Sequence, residues 1–344
     1  MSKPGSLLLF ILLSFLINPD ITAQSKFRPA IRGEYPSGVF VITNRVINSA
    51  ENVQSVFINQ VDTAKGLKFV KVTFKDDEWF AEKYADLDDL LDNPAPYADW
   101  AVWVHGDGQS FLLSMKRALE IQYLHKVNFI VFSWPTQAPD KGPIGNFKNS
   151  MENAQMTVPF FRELCLELQE YRAKPGNRIK DENLSIFFHS LANYMLKESL
   201  AKGALNGISE GFFDNLVLNA PAVESQGHNE WVEKLDIQDQ LYVCFNDEDI
   251  NLEGLRVLSS LGVQLGERPV SPLAKNAIYV DFTESVGSRA KTGATHSYYY
   301  ELITELSLNI RDFYRELFHG MTVNISDPVR FEATGERRVV RIRF

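Results

Sequence analysis

The stretch IFFHSLAN, Ile186–Asn193, decides how the rest of the chain is interpreted. It starts as an apolar run that predicts the end of a buried strand, and Leu191–Leu196 then shows helical periodicity. A serine in the tight turn between a strand and a helix is the layout of a nucleophile elbow, which holds the serine oxygen at the carboxyl edge of a parallel sheet. The alternative is that Ser190 only caps the helix that follows it.

The usual spelling of this elbow is G-x-S-x-G, and the chain has Phe188 and Ala192 where the glycines would stand. Small residues are expected at both positions because the turn brings the strand and helix backbones close together. Ala192 is a mild departure from the pattern and Phe188 a serious one.

On both sides of this stretch, short apolar runs alternate with segments of helical periodicity, which predicts an α/β fold whose mostly parallel central sheet has helices on both faces. The other predicted strands are Val39–Thr43, Leu67–Phe74, Trp100–Val104, Val127–Phe132, Asn215–Asn219, Leu241–Phe245 and Ala277–Phe282.

Four segments carry more specific expectations. The polar and apolar alternation of Leu67–Phe74 predicts an edge strand, and the acidic segment Asp76–Tyr97 predicts a solvated helix and loop. Pro159 is expected to kink or interrupt a long helix. The tail, residues 321–344, carries two short apolar runs around Ala333–Glu336 and predicts a β-hairpin outside a main domain of residues 24–320.

The composition is that of an ordinary globular protein with a large apolar core, 45% hydrophobic and 23% charged. The 35 basic and 44 acidic residues give a formal charge of −9, and no long basic run is present, which argues against nucleic acid as a partner. The sequence leaves the oligomeric state open. Cys165 and Cys244 fall in a helical and a strand segment, so we expect two buried thiols rather than a disulfide or a metal pair.

Residues 1–23 have the form of a secretory signal peptide. Lys3 supplies a basic start, Leu7–Ile17 an apolar run, and Ala23 a cleavage site. We therefore expect an exported protein, periplasmic or extracellular, without a membrane span after cleavage. The alternative is an uncleaved membrane anchor, for which the apolar run is short.

In an open α/β sheet, ligands bind outside the carboxyl ends of the strands. A serine, an acid and a histidine follow the predicted strands in the order that a Ser–acid–His triad requires. In such a triad the imidazole accepts the serine proton, and the carboxylate fixes the imidazole tautomer. The polar residues at these positions are His105, Asp107, Ser133, Ser190, Asn246, Asp247 and, one loop later, His296.

The chain resembles the bacterial α/β hydrolases of unassigned function, which are lipase- or esterase-like in fold. The matching motifs are Phe40–Arg45, Val104–Gly106, Phe132–Pro135, His189-Ser190 with Asn193, Leu218–Pro221, Tyr242–Asp247 and Gly293–Tyr298. The resemblance implies Ser190 as nucleophile, Asp247 as acid and His296 as base. Asp249 competes for the acid role, and Asp247 is preferred because it lies nearer the strand end.

The predicted oxyanion hole consists of two backbone N–H groups, one from Leu191 directly after the nucleophile and one from Asp107. Asp107 is a further departure from the family, which has an uncharged residue at this position. A carboxylate beside the developing oxyanion would oppose it electrostatically unless the carboxylate points away or is neutralised. His105 and His189 are interpreted as structural imidazoles that hydrogen-bond loop backbone.

Two hypotheses follow for the function. The first is an exported serine hydrolase that cleaves an ester or thioester, of a small molecule or a lipid, through an acyl-enzyme and without a metal or organic cofactor; an amidase or peptidase would use the same triad. The second is a non-catalytic binding or structural module of the cell envelope, suggested by the departures at Phe188, Ala192 and Asp107. Fold alone does not decide between them.

Overall fold

The computed structural model describes residues 38–48, 53–75, 78–91, 97–259, 261–287, 295–300, 302–336 and 338–344. The predicted signal peptide, residues 1–23, lies outside the described residues. The strands are β1 Val39–Thr43, β2 Arg45–Ile47, β3 Phe57–Val61, β4 Lys68–Lys75, β5 Glu78–Tyr84, β6 Trp100–Val104, β7 Asn128–Ser133, β8 Leu184–His189, β9 Phe213–Asn219, β10 Gln238–Phe245, β11 Ala277–Asp281, β12 Phe331–Ala333 and β13 Val339–Ile342.

The helices connect these strands and pack on the two faces of the sheet. They are α1 Val53–Val56, α2 Leu87–Leu91, α3 Phe111–His125, α4 Gly142–Ala173, α5 Ala192–Ala201, α6 Asn229–Val232, α7 Ile250–Ser259, α8 Thr283–Val286, α9 Leu302–Leu306 and α10 Leu308–Phe318. No helix in the described ranges has the length and apolarity needed to cross a bilayer.

An eleven-stranded sheet with the order β12-β13-β11-β10-β9-β8-β6-β7-β1-β4-β5 forms the centre of the molecule. Every neighbouring pair from β13 to β1 is parallel. Only β12 at one end, and β4 and β5 at the other, run antiparallel to their neighbours. The predicted α/β fold with a mostly parallel sheet is confirmed, and the carboxyl ends of the parallel strands meet at one edge, which we call the carboxyl edge.

Side chains of successive residues along β8 enter different cores on the two faces of the sheet, as the pleat requires. Ile186 and Phe188 join an apolar cluster with α4 and α5, whereas Phe187 joins a cluster with α3 and α10. Burial on both faces explains why the parallel strands read as continuous apolar runs. Cys165 and Cys244 are both buried free thiols, as predicted.

The expectation for Leu67–Phe74 is wrong, and that for Asp76–Tyr97 is only partly right, since the segment holds the short helix α2 but also the strand β5. β4 is covered by β5, which pairs with it from Phe69–Tyr84 to Lys75–Glu78, so β5 is the edge strand. β5 lies inside the segment that was expected to form a helix and a loop. Its apolar side packs on β4, with the rings of Trp79 and Phe74 4.9 Å apart. The two-residue period is interrupted by Phe80, exposed on the acidic side, and by Lys83 on the side of Trp79.

Pro159 does not interrupt α4, which runs from Gly142 to Ala173. Val158 and Phe161, on either side of the proline, are buried in the core, and this packing holds the helix together across the residue that lacks an N–H.

The tail is part of the sheet. β12 and β13 pair antiparallel, and β13 lies parallel beside β11. The side chains of Phe331 and Ile342 are buried. The sheet therefore extends past residue 320, where the main domain was expected to end.

Candidate active site

The turn after β8 holds Ser190 at a φ of 54°, in the left-handed region that residues with a side chain rarely occupy. The Ser190 N–H donates a 2.9 Å hydrogen bond to the backbone oxygen of Asn219, the last residue of β9. α5 begins two residues later at Ala192. A strand, a serine with positive φ and a helix in this order have the backbone layout of a nucleophile elbow.

The close approach at this elbow involves a glycine from another loop. A Cβ at Gly106, in the loop after β6, would lie 2.8 Å from Ser190 Cβ and 3.1 Å from the backbone oxygen of His189, so no larger residue fits there without displacement. Phe188 is fully buried, and its ring meets that of Phe161 in α4 edge-on at 5.5 Å. Phe188, the bulky residue that stands in place of the usual glycine, thus fills the core below the turn.

His296 is paired with Asp249, and the preference for Asp247 is corrected. The Nδ1 atom of His296 lies 2.6 Å from Oδ2 of Asp249, a charge-assisted hydrogen-bond distance. The other carboxylate oxygen of Asp249 accepts from the backbone N–H groups of Asn251 and Leu252 at the start of α7. Asp249 is fully buried, so its orientation is fixed from two sides.

Asp247 points elsewhere. Its side chain is about half exposed, and the nearest opposite charge is the guanidinium of Arg268 at 3.7 Å. The two acids lie within one turn after β10, and nearness to the strand end is a poor criterion because the chain first turns outward. Asp249 stands directly before α7, and its carboxylate accepts hydrogen bonds from N–H groups in the first turn of this helix. This is a helix-capping position, which the sequence pattern could have revealed.

Further hydrogen bonds join the loop of His296 to the loop of Asp249. The side-chain amide of Asn246 donates to the backbone oxygen of Thr295 at 2.7 Å, and the N–H of Ile250 donates to the Thr295 hydroxyl at 3.4 Å. The hydrogen-bonded pair of His296 and Asp249 is therefore supported by two further contacts through Thr295, the residue before the histidine.

Ser190 and His296 lie on neighbouring loops of the carboxyl edge. The ring of His189, the residue before the serine, is 4.7 Å from the ring of His296. Within the described residues no hydrogen bond joins Ser190 Oγ to His296. The structure brings together the serine turn, the histidine and Asp249, and leaves Asp247 apart.

Leu191 and Asp107 flank the serine turn, as the predicted oxyanion hole requires. Leu191 follows Ser190 directly, and Asp107 follows Gly106, whose backbone passes over Ser190. Within the described residues neither N–H donates to a protein acceptor.

The carboxyl group of Asp107 is held by α4. Its Oδ1 atom accepts a 2.9 Å hydrogen bond from the side-chain amide of Asn146. Burial raises the pKa of this carboxyl to about 6, although hydrogen bonding opposes the change. Its bonded atoms are thus turned toward the helix.

His105 is structural, as expected. Its Nδ1 atom lies 3.0 Å from the backbone oxygen of Gly106, and its Nε2 atom accepts from the N–H of Trp134 at 3.3 Å. Burial lowers the pKa of His105 to about 3, so the ring stays neutral. The fully buried guanidinium of Arg45 donates to the hydroxyl of Ser133 and to the backbone oxygen of Trp134. These bonds join the loops after β6 and β7 beneath the site.

The sequence pattern did not indicate Gly106 as the close contact of the elbow, nor Arg45, Asn219 and Tyr314 as residues around the site. Their roles depend on contacts between distant segments, and only the motifs Phe40–Arg45 and Leu218–Pro221 hinted at two of them. Among the described residues, no group of three or more His, Cys, Asp or Glu side chains is placed to hold a metal ion.

The doubly covered parallel sheet, with a serine elbow and a histidine–aspartate pair at its carboxyl edge, defines the class of α/β-hydrolase-fold proteins. A family model described as "Alpha/beta hydrolase of unknown function (DUF900)" matches residues 88–277, and the chain belongs to this family. The resemblance stated from the sequence motifs is thereby confirmed. No curated protein matches the chain.

Solved structures of similar fold are distant from this chain in sequence. A predicted CIB-like hydrolase from Thermoplasma acidophilum is 14% identical, with 73% of this chain and 93% of that chain covered and a TM-score of 0.33. An esterase from Pyrobaculum calidifontis is 11% identical, with 92% of each chain covered and a TM-score of 0.37. The structure titled ESTFA is 11% identical, with 93% and 98% covered and a TM-score of 0.41.

Proposed function

We propose that the protein is a serine hydrolase that cleaves ester or thioester bonds through an acyl-enzyme, with Ser190 as nucleophile, His296 as base and Asp249 as acid. The observation that carries this proposal is the pairing of buried Asp249 with His296 at 2.6 Å, beside a serine held at positive φ. A serine hydroxyl becomes a useful nucleophile only when a neutral imidazole accepts its proton.

The hydrogen bond to Asp249 determines which nitrogen of His296 acts. With Nδ1–H donating to the carboxylate, the lone pair lies on Nε2 and accepts the Ser190 proton as Oγ attacks the carbonyl carbon. The carbonyl oxygen becomes an oxyanion, which the N–H groups of Leu191 and Asp107 stabilise. Collapse breaks the bond to the leaving alcohol or thiol, which takes the proton from His296.

The second half of the reaction repeats these transfers with water. A water molecule gives its proton to His296 and attacks the acyl carbon, and the ester bond to Ser190 Oγ then breaks. The proton on His296 returns to Ser190, and the carboxylic acid leaves. No metal or organic cofactor takes part in this scheme.

One observation favours the second candidate, a non-catalytic binding or structural module of the cell envelope. Asp107 places a carboxyl group on the loop that would supply an oxyanion donor, and a negative charge there would oppose the transition state. Its hydrogen bond from Asn146 turns the carboxyl group toward α4 and reduces this opposition, which is why we prefer the enzyme.

The family leaves the cellular location open. We propose export through the signal peptide of residues 1–23, with a soluble mature chain in the periplasm or outside the cell. Amino-terminal sequencing of the protein recovered from the periplasmic or extracellular fraction checks this, with Gln24 expected first. Recovery of Met1 in the membrane fraction would instead establish an uncleaved anchor.

A fluorophosphonate probe tests the catalytic proposal because it reacts with activated serines whatever the substrate. We expect covalent labelling of the parent protein and at least a hundredfold slower labelling of the Ser190→Ala and His296→Ala variants. Ser209→Ala, which removes an exposed hydroxyl, serves as the matched control. A folded parent that is not labelled would support the binding module.

A further inference from the structure

A chain of hydrogen bonds leads from α10 to the residue before the nucleophile. The Tyr314 hydroxyl donates to Oδ1 of Asn219 at 2.7 Å, and Nδ2 of the same amide lies 3.2 Å from Nδ1 of His189. The backbone oxygen of Asn219 accepts the Ser190 N–H at 2.9 Å. Asn219 therefore contacts both the nucleophile turn and the imidazole next to it.

This chain fixes the position of the hydrogen on His189. Because the hydroxyl of Tyr314 donates to the amide oxygen, the amide nitrogen faces the ring, and an amide nitrogen can only donate. Nδ1 of His189 must therefore be the unprotonated acceptor. The ring hydrogen lies on Nε2, which is 3.3 Å from the hydroxyl oxygen of Ser297, the residue after the proposed base.

The neutral form of His189 matters because its ring is 4.7 Å from that of His296. In the proposed mechanism His296 becomes an imidazolium each time it accepts the Ser190 proton, and a second cation at this distance would oppose that step. Burial and the field of His296 hold the pKa of His189 well below its usual range. Further titratable or charged groups acting on the ring are Arg117 and His105, which also disfavour a cation, and the Tyr299 ring packs against it edge-on.

We propose that Asn219, oriented by Tyr314, is a positioning residue that keeps His189 neutral with its hydrogen on Nε2, so that His296 can become cationic beside it. This inference rests on the proposed function. It assigns to His189 no contact with the substrate.

Nitrogen NMR of the protein labelled with ¹⁵N-histidine measures the tautomer directly, without a substrate. We expect the His189 resonances, identified by their loss in His189→Gln, to show a neutral ring with Nε2–H from pH 5 to 8. A ring with Nδ1–H, or one that becomes protonated in this range, would overturn the inference.

Asn219→Asp tests the consequence for catalysis. The carboxylate accepts from both Tyr314 and His189, which places a hydrogen on Nδ1 and favours the charged ring. We expect phosphonate labelling of Ser190 in this variant to be at least about tenfold slower than in the parent at pH 6 and to recover at alkaline pH. The acidic side of its pH–rate profile should therefore show two ionisations, that of His189 in addition to the one seen in the parent. Asn219→Leu breaks both bonds without adding charge. Burial should still keep the His189 ring neutral, so the pH profile should retain its single ionisation, but the Nδ1–H tautomer should now appear in the NMR spectrum.

The outcomes separate this inference from the proposed function. A parent that does not label overturns the proposed function, whereas a labelled parent with an Asn219→Asp profile of unchanged shape overturns the inference alone. If Asn219→Asp does not fold, Tyr314→Phe replaces it, because the released amide can rotate and the Nδ1–H tautomer of His189 should appear in the NMR spectrum. An unchanged Nε2–H tautomer in Tyr314→Phe would also count against the inference.

Discussion

The backbone of Ser190 is held in its unusual conformation by hydrogen bonds from several directions. Its N–H donates to Asn219, and its backbone oxygen accepts from the N–H groups of Asn193 and Ala222. A residue with a side chain at positive φ costs about 1–3 kcal/mol and persists only where its surroundings impose it. The surrounding bonds thus maintain a conformation that presents the hydroxyl at the carboxyl edge.

The two neighbouring acids after β10 allow a matched test at the scale of single residues. We expect Asp249→Asn to lower kcat/KM, or the rate of phosphonate labelling, by about 10³- to 10⁴-fold, because an amide in this place favours the wrong imidazole tautomer. Asp247→Asn should change the rate by less than about threefold, since its carboxylate is exposed and paired with Arg268.

Both variants must be shown to be folded by circular dichroism before their rates are compared. Equal losses in the two, or a larger loss in Asp247→Asn, would contradict the assignment of Asp249 as the acid.

The residues of the site differ in how far the sequence could predict them. Ser190 and His296 stand in local patterns, a strand-to-helix turn and a loop after β11, and the structure places both at the carboxyl edge. Asp249 and Asp247 are both acids in one loop, and only the three-dimensional path of that loop separates them. Asn219 and Tyr314 are 95 residues apart in the chain, so no local pattern could connect them.

At the scale of elements, the carboxyl group of Asp107 joins the loop after β6 to α4. The two elements are brought together around a partly buried acid that accepts a hydrogen bond from a neutral partner, the side-chain amide of Asn146. Among the residues that the structure describes, no cation lies within hydrogen-bond reach to offset its burial, so the charged form of this carboxyl is disfavoured in the folded protein.

This contact predicts a pH dependence of stability. The pKa of Asp107 is about 6 in the folded protein, against an ordinary value of 3.8 that we take for the unfolded chain. The unfolded chain therefore loses this proton at lower pH than the folded protein, and the free energy of unfolding falls as the pH rises from about 4 to about 6. We expect Asp107→Asn to unfold at higher urea concentration than the parent above pH 6, by roughly 1–3 kcal/mol, with no difference below pH 4.

Asp140 is exposed, so the Asp140→Asn variant serves as the control in these urea titrations. The difference in stability between this variant and the parent should not change with pH. A stabilisation by Asp107→Asn that is equal at pH 4 and pH 8 would contradict the burial of the Asp107 charge as its cause.

Elements were predicted best where one physical signal dominated. The parallel strands β6 to β11 are buried on both faces, which gives apolar runs that stand out against their surroundings. β5 was missed because Phe80 on its exposed side and Lys83 on its covered side interrupt the alternation of polar and apolar residues. The continuation of α4 through Pro159 depends on packing against the sheet, which local propensity does not contain.

At the scale of the whole molecule, the hairpin of β12 and β13 completes the sheet beside β11. Arg341 in β13 forms a 3.0 Å ion pair with Asp281, the last residue of β11. The apolar side chains of Phe331, Val340 and Ile342 are buried in the cluster that includes α10. The carboxyl-terminal residues therefore belong to the main hydrophobic core.

Deletion of residues 327–344 should accordingly destabilise the whole protein. Loss of the three buried side chains predicts a decrease of roughly 5 kcal/mol in the free energy of unfolding, and β11 becomes an unpaired edge that favours aggregation. Thermal unfolding and light scattering of the truncated and full chains measure both effects. Removal of Phe344 alone, which is exposed, is the control. An unchanged melting temperature after the longer deletion would show that the hairpin is dispensable.

The position of β1 has a consequence for the orientation of the molecule. β1 runs parallel to β7, and through β7 to β6 and β8, so the chain enters it from Gly38 at the amino ends of these strands, whereas Ser190 follows the carboxyl end of β8. Any tether that precedes Gly38 therefore joins the sheet at the edge remote from the nucleophile. A molecule held to a surface at this point would direct its serine toward the surrounding solution, where it would meet dissolved substrates first.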